Sequence, residues 1–224
     1  MSEHATLVPI ATSEMSLETA DTPALVLDIA KVDRNIARLR KHLATLGTGF
    51  RPHVKTSKSL DVARRLFPEG TGPITVSTLA EAEYFASGGF ADITYAVGLS
   101  LDKIERARQM VAQGVRLSVL IDTVEQAHAL AAAAKDGGAM PVVLIEIDCD
   151  GHRGGVLPDE PALVEIANIL RDGGVDLGGV LTHAGESYNA RMGEGLAEAG
   201  VGEHSRDALR RGRVLPAADL EGQG

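Results

Sequence analysis

The chain has 224 residues, 44% of them apolar, 24% charged and only 3% aromatic, with no tryptophan and a single cysteine, Cys149. This is the balance of a soluble globular protein whose core rests on Leu, Val, Ile and Ala, long enough for one large domain or two small ones. A formal charge of −9 argues against a nucleic-acid partner, which needs a basic face; the lone cysteine excludes a disulfide within the chain, and no apolar run approaches the roughly 20 residues of a membrane-spanning helix, so a cytoplasmic protein with no membrane contact is expected.

Residues 1–20 are polar and acidic, lack an apolar signal core, and read as a mobile leader. The run 22–28, Thr-Pro-Ala-Leu-Val-Leu-Asp, predicts a short buried strand. Over 31–46, Val32, Ile36, Leu39 and Leu43 recur at spacings of three and four, the mark of one helix face, and Gly47 and Gly49 end it. The same grammar then repeats. Strand-like runs fall at 50–55, 73–78, 91–97, 117–122, 141–148 and 176–184, with helix-like stretches at 60–67, 80–87, 101–113, 124–135 and 160–171. Ser77 or Thr78, Ser100 and Thr123 stand where helix caps belong.

Strands alternating with helices imply βαβ units and parallel pairing. Strands apolar along most of their length are those covered on both faces. A (β/α)8 barrel and an open doubly wound sheet both fit, and the lack of a G-x-G-x-x-G after the first strand weakens the dinucleotide-binding form of the second. In a barrel the chemistry sits at the C-terminal strand ends, and three polar clusters fall there.

The first is Arg51-Pro-His-Val-Lys-Thr-Ser-Lys58. Lys55 ends a strand before a polar turn. It is either a solvated loop lysine in a basic patch or an amine held at the mouth for covalent chemistry, which requires a lowered pKa and a covered site. His53 alternates with Lys55 and faces the same way, while Lys58, further along, reads as surface. The second is Ile145-Glu-Ile-Asp-Cys-Asp-Gly-His-Arg-Gly-Gly155, acids, a His and an Arg in a Gly-rich turn. Glu146 and Asp148 share one face. The residues serve as a turn, or Asp148, Asp150 and His152 hold a metal, although their spacing is generic. Cys149 falls on the opposite face and reads as packed and inert. The third is Leu181-Thr-His-Ala-Gly-Glu-Ser-Tyr188, where His183 is either a hydrogen-bonded structural residue or part of a site with its polar neighbours. Ser77 and Thr78 read as caps that could also reach a ligand.

Taken in order, Thr22–Asp28, Arg51-Pro-His-Val-Lys-Thr-Ser-Lys58, Thr75-Val-Ser-Thr-Leu-Ala-Glu-Ala-Glu83, Ile145-Glu-Ile-Asp-Cys-Asp-Gly-His-Arg-Gly154 and Leu181-Thr-His-Ala-Gly185 resemble the alanine-racemase-like barrels that use pyridoxal 5'-phosphate (PLP). The branch they resemble most is that of D-threonine aldolases and D-serine dehydratases. The resemblance implies an α/β fold, a TIM-type (β/α)8 barrel of PLP fold type III, over residues 21–190. It implies that Lys55 forms the Schiff base with PLP, that Arg153 lies near the phenolic oxygen and His183 against the pyridine ring, and that His53 and Tyr188 line the cofactor edge or substrate side. The implied reaction is a lyase reaction on a D-amino acid, aldol cleavage or dehydration. Racemisation, a non-catalytic PLP-binding role and an inactive fragment are the alternatives.

The chain departs from that family in length. Only about six barrel strands are expected against the eight of a closed barrel, so the barrel reads as incomplete and the chain as C-terminally truncated. The family's phosphate loop and its C-terminal β domain, with the ligands of a divalent metal, are not found in the sequence, so no metal site is expected here. Residues 191–224 read as an atypical helical or disordered tail, with a helix around 194–211, and Glu186 stands where the family tends to have His. Exposed sheet edges would favour self-association, which leaves a homodimer open.

Overall fold

The computed structural model describes residues 18–149, 151 and 153–185. The predicted tail helix, Glu186, Tyr188, Asp150, His152 and most of the leader lie outside the described residues. Helix α1 (Ile29–Thr45) is followed by α2 (Leu60–Arg65), β1 (Ile74–Val76), α3 (Leu79–Ser87), β2 (Asp92–Gly98), a 3-10 turn at Leu101–Lys103, α4 (Ile104–Ala112), β3 (Arg116–Ile121), α5 (Val124–Lys135), β4 (Val142–Ile147), α6 (Pro161–Asp172) and β5 (Leu177–Thr182). The strands form one parallel sheet in the order β1-β2-β3-β4-β5. A doubly wound sheet reverses its strand order; this one does not, so it is a barrel wall.

The register explains both faces. The rows Ile74–Ile93–Leu117 and Val76–Tyr95–Val119–Val143 run across the sheet. They belong to a core with Leu79, Phe85, Leu130 and Ile166 from the helices. Alternation sends the intervening row, Thr75–Thr94–Ser118–Val142, to the opposite, inner face. Two threonines and a serine therefore line that layer of the interior with Val142, and the strand ends above it carry the polar clusters.

Helix starts follow local chemistry. Thr78 caps α3 by accepting from the Glu81 N–H, and Thr123 and Gln126 form a reciprocal capping box at α5. The expected cap at Ser100 does not form: its side chain makes no capping bond, and the chain enters α4 through the 3-10 turn instead.

Two expectations about strands are corrected. Segment 50–55 is not a full strand but a single bridge between His53 and Thr75. Thr75 donates to the Pro52 carbonyl at 2.8 Å and Val54 donates to the Thr75 carbonyl at 2.9 Å, but Pro52 has no N–H of its own and the chain turns after Val54. The run 22–28 is not a buried strand. It is irregular and exposed, with Leu25 at 102% and Val26 at 62% relative exposure. An apolar run becomes a strand only when a neighbouring backbone satisfies its N–H and C=O groups, and none of the five strands pairs with it. Helix α1 likewise has no buried residue; the Arg65–Asp33 ion pair, 3.2 Å, ties it to α2. Among the described residues no helix is long and apolar enough to cross a membrane.

Candidate active site

The turn that carries Lys55 is held at both ends. Val54 is buried, and its carbonyl accepts from the Lys58 N–H at 2.9 Å, which closes the turn. Lys58 has a left-handed backbone, φ 45°, and its ammonium reaches the Glu81 carboxylate at 3.0 Å. Lys58 is a surface lysine, as its position in the sequence suggests, and is also tied to α3 by this ion pair. Glu81 is almost fully buried and also accepts from the Ser77 N–H at 2.8 Å. Burial pushes this carboxyl up, but the bonds from Ser77, Lys58 and Thr78 together outweigh it and hold it below its ordinary value.

A depressed carboxyl stabilises the fold fully above its unfolded pKa and ceases to do so as pH falls through the folded value. Glu81→Gln is therefore expected to cost about 1–2 kcal/mol near neutral pH. The gap to wild type should close as pH falls below the ordinary value of 4.5. Thermal melts of both proteins across that range check this; a gap that persists at low pH contradicts it.

Lys55 itself is exposed at the mouth. Its backbone N–H donates to His53 Nδ1 at 3.3 Å. The ring proton of neutral His53 is then on Nε2, which faces Ser77 Oγ at 3.3 Å. Burial, then the Lys55 charge, push His53 below its ordinary value, a push that any proton gained by His183 would add to, with Glu81 opposing. A neutral imidazole beside the lysine is the result. The same balance puts both Lys55 and His183 within electrostatic reach of His53, although 130 residues separate His53 from His183 in sequence (183 − 53).

The opposite wall is the loop after β4. Val156 bridges Ile147; its N–H donates to the Glu146 carbonyl at 2.9 Å and its carbonyl accepts from Asp148 at 3.0 Å. This fold-back brings Arg153 Nη2 to 2.8 Å from His183 Nε2. A guanidinium has no acceptor, so Nε2 must accept, and His183 is the neutral Nδ1–H tautomer. Cys149 is half-buried and lies past the end of β4, its thiol 3.9 Å from the His183 carbonyl, not packed on the opposite strand face.

The structure thus brings together Lys55, His53, Arg153 and His183; Tyr188 lies outside the described residues. Of the residues read as caps, Thr78 caps α3 while Ser77 turns to His53. The metal reading of Asp148, Asp150 and His152 falls largely on undescribed residues, and among the described ones no three metal-ligating side chains gather. Sequence reasoning missed Glu81, whose signal was the T-x-x-E spacing of a cap, and Asp122, whose position just after an apolar strand was the only hint.

The class is defined by these features: a parallel α/β barrel wall with a lysine, two neutral histidines and an arginine at its C-terminal strand ends. The alanine racemase N-terminal domain matches residues 27–210, and the chain belongs to that family. It is 47% identical over 206 residues to D-threo-3-hydroxyaspartate dehydratase from Delftia sp. strain HT23, covering 92% of this chain and 54% of that protein. The solved structure of that dehydratase superposes with a TM-score of 0.81 at 44% identity, over 86% of this chain and 52% of the other. D-threonine aldolase from Filomicrobium marinum superposes with a TM-score of 0.76 at 26% identity, over 87% and 52%. The chain spans about half the length of the curated relatives it matches.

Proposed function

We propose that this chain is the lysine-bearing barrel portion of a PLP-dependent lyase that acts on D-amino acids with a β-hydroxyl. The observation that carries the reading is the meeting of Lys55, His53 and His183 at one strand-end mouth, with Arg153 on His183. The donor set fits the coenzyme: an amine for its aldehyde, a guanidinium for a phenolic oxygen, and a neutral imidazole to lie against a ring. When bound, PLP condenses with a substrate amine and withdraws electrons from its α-carbon.

The chain's own residues then have distinct tasks. Lys55 would hold the coenzyme covalently, and its amine would be placed to take up a proton at the mouth. Neutral His53 accepts the Lys55 backbone N–H and fixes the turn that presents the amine at the mouth. Arg153 keeps His183 neutral and in one tautomer. The relatives named above are a dehydratase and an aldolase, and both names favour bond cleavage over racemisation. PLP binding without turnover is the reading that experiment separates from the lyase.

Borohydride reduction of the protein mixed with PLP, followed by proteolysis and mass spectrometry, should place the coenzyme's mass on Lys55. D-threo-3-hydroxyaspartate, D-serine, D-threonine and D-alanine are then offered with and without a divalent metal. Consumption of a β-hydroxy D-amino acid is expected. Labelling of Lys55 with no turnover supports the binder over the lyase, and no labelling overturns the proposal.

A further inference from the structure

Two carboxylates at neighbouring strand ends have no role in the site described so far. Asp122 follows β3, and Glu146 lies in β4, on the inner face two residues beyond Leu144. Both border the glycine pair of the β4 loop. A Cβ placed on Gly154 would lie 3.2 Å from Asp122 Oδ2 and 3.8 Å from Glu146 Oε2. Asp122 Oδ2 also accepts the Gly155 N–H at 3.0 Å. Immediately before this pair stands Arg153, within electrostatic reach of Glu146 and bonded to His183.

We propose that Asp122 and Glu146 are positioning residues for Arg153. Asp122 pins the loop through Gly155, and Glu146 draws the guanidinium toward the strand ends, so that Arg153 meets His183 in one orientation and holds its imidazole as the Nδ1–H tautomer. The inference deepens the PLP reading of the same site, yet its central test needs no coenzyme.

Glu146 is kept where it is costly. Burial first, then the charges of Asp122 and Asp148, push its carboxyl above the ordinary value, and Arg153 only partly offsets them. A group with a raised folded pKa contributes stability that is fully present below its unfolded value and is lost as pH rises through the folded one. A residue present for stability alone would not be a carboxylate there. The isosteric Glu146→Gln is therefore expected to melt no lower than wild type at neutral pH, while its site loosens.

The experiment is long-range nitrogen NMR of the histidine rings in the full chain without PLP, at alkaline pH where imidazoles are neutral. Wild type should show His183 as the single Nδ1–H form. Glu146→Gln and Asp122→Asn should each shift it toward the mixed tautomers of a free imidazole, as should Arg153→Met, while Glu146→Asp should recover part of the wild-type signature. If Glu146→Gln and Asp122→Asn both retain the wild-type signature, the proposal is overturned; a lowered melting temperature in Glu146→Gln with an unchanged tautomer also overturns it. Should Asp122→Asn fail to fold, the Glu146 pair of variants decides. Failure of the PLP reading shows separately, as a wild-type protein that takes up no coenzyme.

Discussion

Replacing Lys55 by alanine is expected to abolish the visible absorption of the PLP-treated protein and to leave its fold unchanged. The side chain is exposed and makes no hydrogen bond or ion pair among the described residues, and the backbone link to His53 survives the substitution, so truncation removes the amine without opening a cavity. The covalent contribution is lost entirely. What remains is the attraction of Arg153 and the nearby imidazoles for an anionic ring, and PLP affinity should fall by roughly 100-fold, about 2.8 kcal/mol. Lys58→Ala is the informative control. Its ammonium is engaged by buried Glu81 at 3.0 Å, so this variant should keep the absorption band and lose some stability instead. Absorption titrations with melting curves for both variants check the pair of outcomes. A band that survives in Lys55→Ala and vanishes in Lys58→Ala would move the coenzyme to the other lysine.

Gly155→Ala is expected to have the largest effect on the fold of the site. Gly155 has φ +128°, and a Cβ there would lie 2.4 Å from the Asp148 nitrogen, 2.7 Å from the Ile147 carbonyl carbon and 3.1 Å from the Glu146 oxygen. These are backbone atoms of β4 and its exit, and they cannot swing aside as a side chain can. Backbone strain and overpacking combine to roughly 3–5 kcal/mol, a fall in melting temperature of roughly 10 °C for a chain of this size. Since Gly155 also donates to Asp122, the loop that delivers Arg153 should be displaced, and PLP binding should weaken with it. Gly151→Ala is the comparison: φ is +72° but nothing lies within 4 Å of the added Cβ, so about 1 kcal/mol of backbone cost is expected alone. Melting curves and PLP titrations of the two variants separate crowding from conformational preference; equal effects would contradict the packing argument.

Much of the fold was legible because local signals agreed with the global one. The helix face of α1, the Thr78 and Thr123 caps, and the apolar runs of β2 to β5 each point to a helix or strand without reference to distant residues. Lys55, His53, Arg153 and His183 were legible for a second reason. They stand just beyond apolar runs, where a parallel barrel gathers its chemistry, and their motifs resemble a family in the same order. The failures have the same origin as the successes. Residues 22–28 carry the apolar signal of a strand, yet a strand requires a partner backbone, and a partner is not a local property. Ser100 stands in the position of a cap, but a cap is a distance and an angle, which the 3-10 turn denies it.

The amino-acid sequence by itself determined the alternation of helix and strand and the apolar layers between them, because these follow from periodicity and residue type; Lys55 was singled out by the resemblance of its motif to a family. Only the tertiary structure decided that Glu81 holds Lys58, that His53 and His183 are neutral in opposite tautomers, and that Asp122 and Glu146 flank the loop of Arg153. Each of these depends on distances between particular atoms, most of them on segments far apart in the chain. Charge and hydrogen bonding act over a few ångströms of space, whatever the separation along the chain.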